Sequence, residues 1–322
     1  MKEQISDSRH RLFTLGFDYK VTPDDNLAII EINGCHSGIK GYIKLHPDAE
    51  KIRQGTRYLL NDWLKDKDSL WGFDPDEKDC MERYKAGPPK KAKDWNFGVA
   101  SDTNFVERVA NEKVLSRIVT PDEYCVPGIE WKGNNFDELA FLIGELYEGG
   151  SKLVDVENYP FVVFKPAYGT AHGDGIRIFN LRERGKIPHK MCEFIKELEN
   201  TECKIDYLIE GFVPSKLFEN PETGKGHDAC GRLVFDIHVD LENSYYNPIF
   251  SANYLRLSPE NWTDEGFSEG MMKANLTGKV PAIPIDAPDE VSKISTEAGM
   301  DTANVLLGTS LYLMMKKKIK NL

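Results

Sequence analysis

No Cys-x-x-Cys pair occurs in this sequence, although it holds six cysteines among its 322 residues. Scattered thiols without paired spacing argue against a structural zinc site and against a disulfide framework. A long hydrophobic run is also missing, because the longest apolar stretch, Val305 to Met315, is interrupted by Gly308, Thr309 and Ser310. That stretch is too short to span a bilayer, so we expect no membrane partner.

An excess of basic residues is absent as well. The formal net charge is −11 and the sequence pI is about 5.3. Because non-specific binding to nucleic acid normally requires a basic surface, we expect no nucleic-acid partner. A secretory leader is not predicted either, since the first residues, MKEQISDSRHR, are polar. These features predict a cytoplasmic protein with reduced thiols.

No side-chain nucleophile stands out in the sequence. There is no convincing Ser/His/Asp or Cys/His set. Cys35 and His36 are adjacent, but neighbouring residues rarely face each other, so catalysis by Cys35 is not expected. The chain is long enough for two or three packed subdomains. Any chemistry is therefore expected from glycines, lysines and carboxylates.

The most informative stretch is residues 161–180, FVVFKPAYGTAHGDGIRIFN. Its apolar start is typical of a buried strand, which Pro166 ends directly after Lys165. Alternation resumes over Ile176 to Phe179, so a β-hairpin is predicted. The long tip of this hairpin contains Gly169, Thr170, Gly173 and Gly175. Glycines let backbone N–H groups point at an anion, and a lysine at the base suits phosphate oxygens. The alternative is a flexible hairpin with an exposed lysine.

Two carboxylates lie on predicted strands near the N-terminus. Asp18 is in the alternating segment Phe17 to Val21, and Glu31 is in the apolar run Leu27 to Ile32. Because side chains alternate along a strand, Glu31 and Asn33 point to one face, which Asp18 reaches if the strands pair. Carboxylate and amide oxygens are ligands that suit Mg²⁺. The alternative is that both acids simply face solvent.

Residues 106–308 together with 12–38 resemble the ATP-grasp superfamily. Lys113, on a predicted helix, looks like the family's first nucleotide-binding lysine. Lys165 and the glycine-rich loop look like the second lysine and the lid over the phosphates. The resemblance implies an α+β fold in which two subdomains clasp ATP.

Further motifs extend the resemblance along the chain. The segment YLIEGFV is similar to the hinge strand that meets adenine, and it contains Glu210, Gly211, Phe212 and Val213. Arg256, and Lys273 and Asn275 in the segment KANLTG, look like the basic and amide groups near the transferred phosphate.

The order of these motifs implies a circular permutation. In the family the metal-binding Asp and Glu-x-Asn strands come last, whereas here Asp18, Glu31 and Asn33 come first. The spacing between the two acids matches the family's own. The implied organisation is four units. These are permuted metal-binding strands at 1–38, a bridging or substrate-side region at 39–105, a nucleotide-binding subdomain at 106–213, and the rest of the C-terminal subdomain at 214–322.

Two positions depart from the family pattern. Leu217 stands where many relatives hold the ribose with an acidic residue, and Lys216 and Glu219 are the nearby alternatives. Gly16 stands where relatives place an arginine for the substrate carboxylate. The resemblance therefore leaves the acceptor substrate open.

The function implied by the resemblance is an ADP-forming carboxylate–amine (or thiol) ligase that acts through an acyl phosphate, with peptide or amino-acid ligation as one form. Its cofactors would be ATP and Mg²⁺, with Mn²⁺ as the alternative ion. Its partners would be a substrate carboxylate and an amine or thiol, and the sequence allows a homo-oligomer. The alternatives are a small-molecule kinase on the same fold, a nucleotide-binding protein without turnover, and an unrelated α+β domain with fortuitous motifs.

Overall fold

The protein is an α+β molecule built on mostly antiparallel sheets, as a computed structural model defines it. The structure describes residues 10–34, 40–49, 69–72, 113–131, 153, 158–167, 176–180, 193–194, 207–240, 243, 245–263, 268–272 and 282–320. None of the helices within these ranges is long and apolar enough to cross a membrane.

The larger sheet contains β1 (His10–Val21), β2 (Leu27–Gly34), β3 (Ser69–Gly72), β10 (Ala229–Asp240), β11 (Tyr245–Leu257) and β12 (Ile283–Asp286). The strand order is β12-β11-β10-β1-β2, and β3 pairs in parallel with the start of β1. The first two strands pair with each other, which is the condition under which Asp18 shares the face of Glu31. They also join the sheet of the later chain through β10, and the permutation itself stays a prediction.

The smaller sheet contains β4 (Gly128–Trp131), β5 (Phe161–Pro166), β6 (Arg177–Asn180) and β7 (Tyr207–Gly211). It is antiparallel, and its strand order is β4-β7-β5-β6. The pairing of β5 with β6 is the hairpin that the sequence predicts. The segment YLIEGFV could be interpreted as an edge strand or as a hinge strand of this sheet, and the edge alternative is excluded because β7 lies between β4 and β5 and every one of its residues is buried. Apolarity on both faces is the signature of an internal strand.

The described helices are α1 (Lys40–Leu45), α2 (Lys113–Val119), α3 (Glu269–Met272) and α4 (Asp289–Lys320). The sequence over Pro288 to Lys318 predicts one long helix or two, and the structure has one, α4. Its buried side chains pack on one face of the larger sheet and form the main core with Leu15, Phe17, Leu233, Phe235 and Leu255. The opposite face of that sheet carries most of the polar groups described below.

A short hairpin lies in the polar segment 218–228, whose glycines, proline and charges predict a loop. The segment contains β8 (Phe218–Glu219) and β9 (Gly226–His227), which pair with each other, so the loop prediction is wrong for these residues. Gly224 adopts a positive φ of 68° in the connecting turn, a conformation that favours glycine. The sequence also predicts helices at 136–147 and at 47–66. The first lies outside the described residues, and so does the part of the second after residue 49.

Candidate functional site

Two buried lysines, one at the start of α2 and one on β5 of the smaller sheet, lie beside β2 of the larger sheet. Lys113 begins α2, and its Nζ lies 3.7 Å from Glu31 Oε1 and donates to the Pro166 carbonyl at 3.2 Å. Lys165, near the end of β5, forms an ion pair with Glu210 and lies 3.5 Å from the Ile30 carbonyl. Both ammonium groups therefore lie at the boundary between the two sheets.

The ammonium group of Lys113 is buried, which affects its pKa. Burial lowers the pKa of its ammonium group below the usual value. The Glu31 carboxylate counteracts this by raising the pKa, while the nearby positive charge of Lys165 lowers it further. An anion placed beside Lys113 would favour its charged form.

The carboxylates of the N-terminal strands form an in-register row with a later strand. Arg232 on β10 lies opposite Asp18 on β1, and Asp18 lies opposite Glu31 on β2. Lys113 then contacts Glu31 from α2. The order of charges across the sheet is thus positive, negative, negative, positive. Asn33 shares this face, two residues along from Glu31 and opposite Gly16.

Asp18 is buried and is bound by two arginines. The Nε atom of Arg232 lies 2.5 Å from Oδ1 of Asp18, and its Nη2 atom donates a hydrogen bond to Oδ2 at 3.0 Å. Arg256 on β11 donates to Oδ1 from Nη2 at 2.7 Å and also contacts the Cys230 sulfur at 3.0 Å. Burial by itself would lower the pKa of the Arg256 guanidinium, but the Asp18 carboxylate raises it above its usual range.

Sequence reasoning gave no role to Arg232. Its only signal was its place at the start of the alternating run RLVFDIHVDL, and alternation does not reveal which strand lies alongside. The partner became visible only with the pairing of β1 and β10.

The donor set suits a divalent cation best at Glu31 and Asn33. The Glu31 side chain is 30% exposed, and Asn33 could bind a cation through its amide oxygen, since its buried amide nitrogen, which has no hydrogen-bond partner among the described residues, is a donor. Asp18, the third predicted metal ligand, lies next to Glu31, but both of its carboxylate oxygens already accept hydrogen bonds from arginines. Within the described ranges, no group of three or more His, Cys, Asp or Glu residues could hold a metal ion.

The segment predicted to be the hinge begins at Glu210, the carboxylate partner of Lys165. Glu210 is buried on β7 and directs its carboxylate to Lys165, and Gly211 ends the strand. Phe212 donates its backbone N–H to the Phe161 carbonyl at 3.0 Å. The Val213 carbonyl accepts a hydrogen bond from the Lys20 ammonium group at 2.9 Å.

Lys216 lies apart from this cluster. It is exposed and pairs with Asp25 at 2.8 Å. The remaining predicted residues are Gly169, Thr170, Gly173 and Gly175 of the glycine-rich loop and Lys273 and Asn275 of the KANLTG segment, and they lie outside the described residues.

Comparisons with known proteins assign no family. No family model matches the chain, and no curated protein matches it. Among solved structures, the chain is similar to a glutathione synthetase-like effector from Globodera pallida in its apo form. The TM-score is 0.37 at 12% sequence identity, over 77% of this chain and 73% of the other. A likeness at this TM-score assigns neither fold nor function.

Proposed function

We propose that this protein is an ATP-dependent, ADP-forming ligase of the ATP-grasp kind, which joins a carboxylate to an amine or thiol. One observation carries the proposal. Two buried lysines lie beside one N-terminal strand at the boundary between the two sheets, where Lys113 contacts Glu31 and Lys165 contacts the carbonyl of the neighbouring Ile30. Lys113, Lys165 and Glu31 are three of the residues that the sequence pattern assigns to the phosphates and the metal.

The lysines would bind the phosphates of ATP. Each is already oriented by a carboxylate, Lys113 by Glu31 and Lys165 by Glu210. Oriented cations stabilise the charge of a transferring phosphoryl group without reorganisation at the moment of reaction. The segment from Glu210 to Val213 would face adenine, mainly through its backbone.

Glu31 and Asn33, with Asp18 opposite, would hold Mg²⁺, which neutralises charge on the β- and γ-phosphates when it is bound. Arg256 lies on the same sheet face and is fixed by Asp18. Its guanidinium would add positive charge near the transferred group.

The reaction follows from this arrangement of charge. An oxygen of the substrate carboxylate attacks the γ-phosphorus, the bond to the β,γ-bridging oxygen breaks, and ADP leaves. The amine then attacks the acyl carbon of the acyl phosphate, phosphate leaves with the former carboxylate oxygen, and the amine nitrogen loses a proton. No protein nucleophile is needed, since positioning and electrostatics supply the catalysis.

An isotope experiment tests this function. The protein is incubated with ATP, Mg²⁺ and pools of carboxylates labelled with ¹⁸O, each with and without a pool of amines. The proposal predicts that ADP forms and that one ¹⁸O atom from the carboxylate appears in the released phosphate. ADP formation with a hydroxyl compound alone, and without release of phosphate, would mean a kinase and would contradict the ligase.

A further inference from the structure

Arg117 ties the helix that carries Lys113 to the smaller sheet. Its Nε atom donates a hydrogen bond to the Val126 carbonyl at 3.1 Å, and its Nη1 atom donates to the Gly128 carbonyl. Arg117 lies in the last turn of α2, and Gly128 is the first residue of β4. Because the N–H donors of a guanidinium form a rigid fork, two carbonyl acceptors fix its direction.

The position of Lys113 depends on contacts of this kind. The helix α2 has seven residues, and helices this short are not stable on their own in water. Its first residue, Lys113, donates its backbone N–H to the carbonyl of Ala167, directly after β5, at 3.1 Å. Arg117 holds the other end. The helix is therefore attached to the smaller sheet at both ends.

The point where Arg117 is attached lies beside the carboxylate that holds Lys165. Gly128 on β4 is opposite Glu210 on β7, and Glu210 forms the ion pair with Lys165. A Cβ atom at Gly128 would lie 2.6 Å from Cγ of Glu210 and 3.4 Å from Nη1 of Arg117. The missing side chain of Gly128 thus lets both groups approach one point of β4. Arg117 thereby fixes the helix of Lys113 relative to the strands that hold Lys165.

We propose that Arg117 is a positioning residue that sets the separation of Lys113 and Lys165, and with it the affinity of the two lysines for a polyphosphate. This role rests on the proposed function to the extent that the two lysines form the phosphate-binding pair. Their ammonium groups interact electrostatically, so both can act on one anionic ligand. A ligand that contacts both lysines is sensitive to their separation, since its phosphate groups are held at fixed distances from one another.

The competing explanation is that Arg117 only stabilises the fold. Calorimetric titration with inorganic tripolyphosphate, without metal or nucleotide, separates the two, and thermal unfolding reports stability. Arg117→Lys keeps the charge but loses the fork. Thr120→Val is the matched control, because it removes a buried hydrogen bond next to the same helix, from the Thr120 hydroxyl to the Ser116 carbonyl at 2.7 Å. Lys113→Gln removes the charge that Arg117 positions.

The proposal predicts that Arg117→Lys binds tripolyphosphate roughly tenfold more weakly than wild type, as expected when one charge-assisted contact is misplaced. Arg117→Gln should show at least the same loss, so the result does not depend on the folding of one variant. Thr120→Val keeps the wild-type affinity even where its melting temperature falls. In the Lys113→Gln background, Arg117→Lys causes no further loss, because residues that act through each other give non-additive changes.

Three results would overturn the positioning role. They are wild-type affinity in both Arg117 variants, an equal loss of affinity in Thr120→Val, and additive losses for Arg117→Lys and Lys113→Gln. If the wild type bound tripolyphosphate but not a non-hydrolysable ATP analogue, the proposed ligase would be refuted and the role of Arg117 would stand. If the wild type bound neither, both would be refuted.

Discussion

The ammonium group of Lys20 and the carboxylate of Asp228 form a buried ion pair that joins the first strand to the segment after the smaller sheet. The Lys20 Nζ atom lies 2.7 Å from Oδ2 and 2.9 Å from Oδ1 of Asp228. It also donates to the Val213 carbonyl and lies 4.4 Å from the centre of the Phe212 ring. Lys20 therefore fixes the end of the segment that we assign to adenine.

Asp228 also accepts a hydrogen bond from Ser215, which extends the network. Its Oδ1 accepts from the Ser215 backbone N–H at 3.0 Å, and the Ser215 hydroxyl accepts from the Ala229 N–H at 2.7 Å. Every polar group in this chain of contacts has a partner, which makes the network rigid.

Replacement of Lys20 by Met is expected to lower the free energy of unfolding by about 3 to 5 kcal/mol, because Asp228 is left as an uncompensated buried charge. Urea denaturation measures the change. Lys293→Met, on an exposed position of α4, is the matched control and should change stability by less than about 0.5 kcal/mol. An effect of Lys20→Met as small as that of the control would mean that the pair does not join the two segments.

Gly231→Ala tests the packing of β1 against β10. A Cβ at Gly231 would overlap the ring of Tyr19, which is buried on the opposite strand. Overpacking of this kind costs about 1 to 3 kcal/mol or more. Gly308→Ala is the matched control, since a Cβ there meets nothing within 4 Å, and it should stabilise α4 by up to about 1 kcal/mol. Thermal unfolding compares the two variants, and equal melting temperatures would contradict the pairing of β1 with β10.

Lys165→Ala is expected to weaken the binding of a non-hydrolysable ATP analogue roughly tenfold to a hundredfold, because a charge-assisted contact to phosphate is lost. The single change also leaves Glu210 buried without its partner. The double variant Lys165→Ala/Glu210→Gln should therefore recover stability without recovering affinity. Calorimetric titration gives the affinities, and recovery of both together would show that Lys165 only supports the fold.

Glu31→Gln is expected to reduce turnover roughly a hundredfold or more, since the amide keeps the shape of the side chain but removes the charge beside the phosphates. ADP formation is the readout. Glu297→Gln, at an exposed position of α4, should behave as wild type. Normal turnover in Glu31→Gln would remove the argument that the N-terminal strands carry the metal site.

Local pattern was enough to predict several elements. The hairpin of β5 and β6, the pair β1 and β2, and the long C-terminal helix follow from apolar runs and turn residues. The shared face of Asp18 and Glu31 follows once these two strands pair, whereas their opposite positions come from the register.

Local patterns of this kind do not show which distant segments of the chain pair with each other. The arginines that bind Asp18 lie 214 and 238 positions away in the chain, and Lys20 lies 208 positions from Asp228. A charge within an apolar strand, such as Lys20, signals that a partner is needed but does not identify it. For the same reason, the internal position of β7 could not be read from its own residues.

A thermal-shift titration with a non-hydrolysable ATP analogue, with and without Mg²⁺, on wild type and Glu31→Gln, tests the central claim most directly. A ligand that binds only the native state stabilises it, by about 2.7 kcal/mol at a hundredfold excess over the Kd. The account predicts a rise in wild type that requires Mg²⁺ and is blunted in Glu31→Gln. No rise in either protein would contradict a nucleotide site at the boundary between the two sheets.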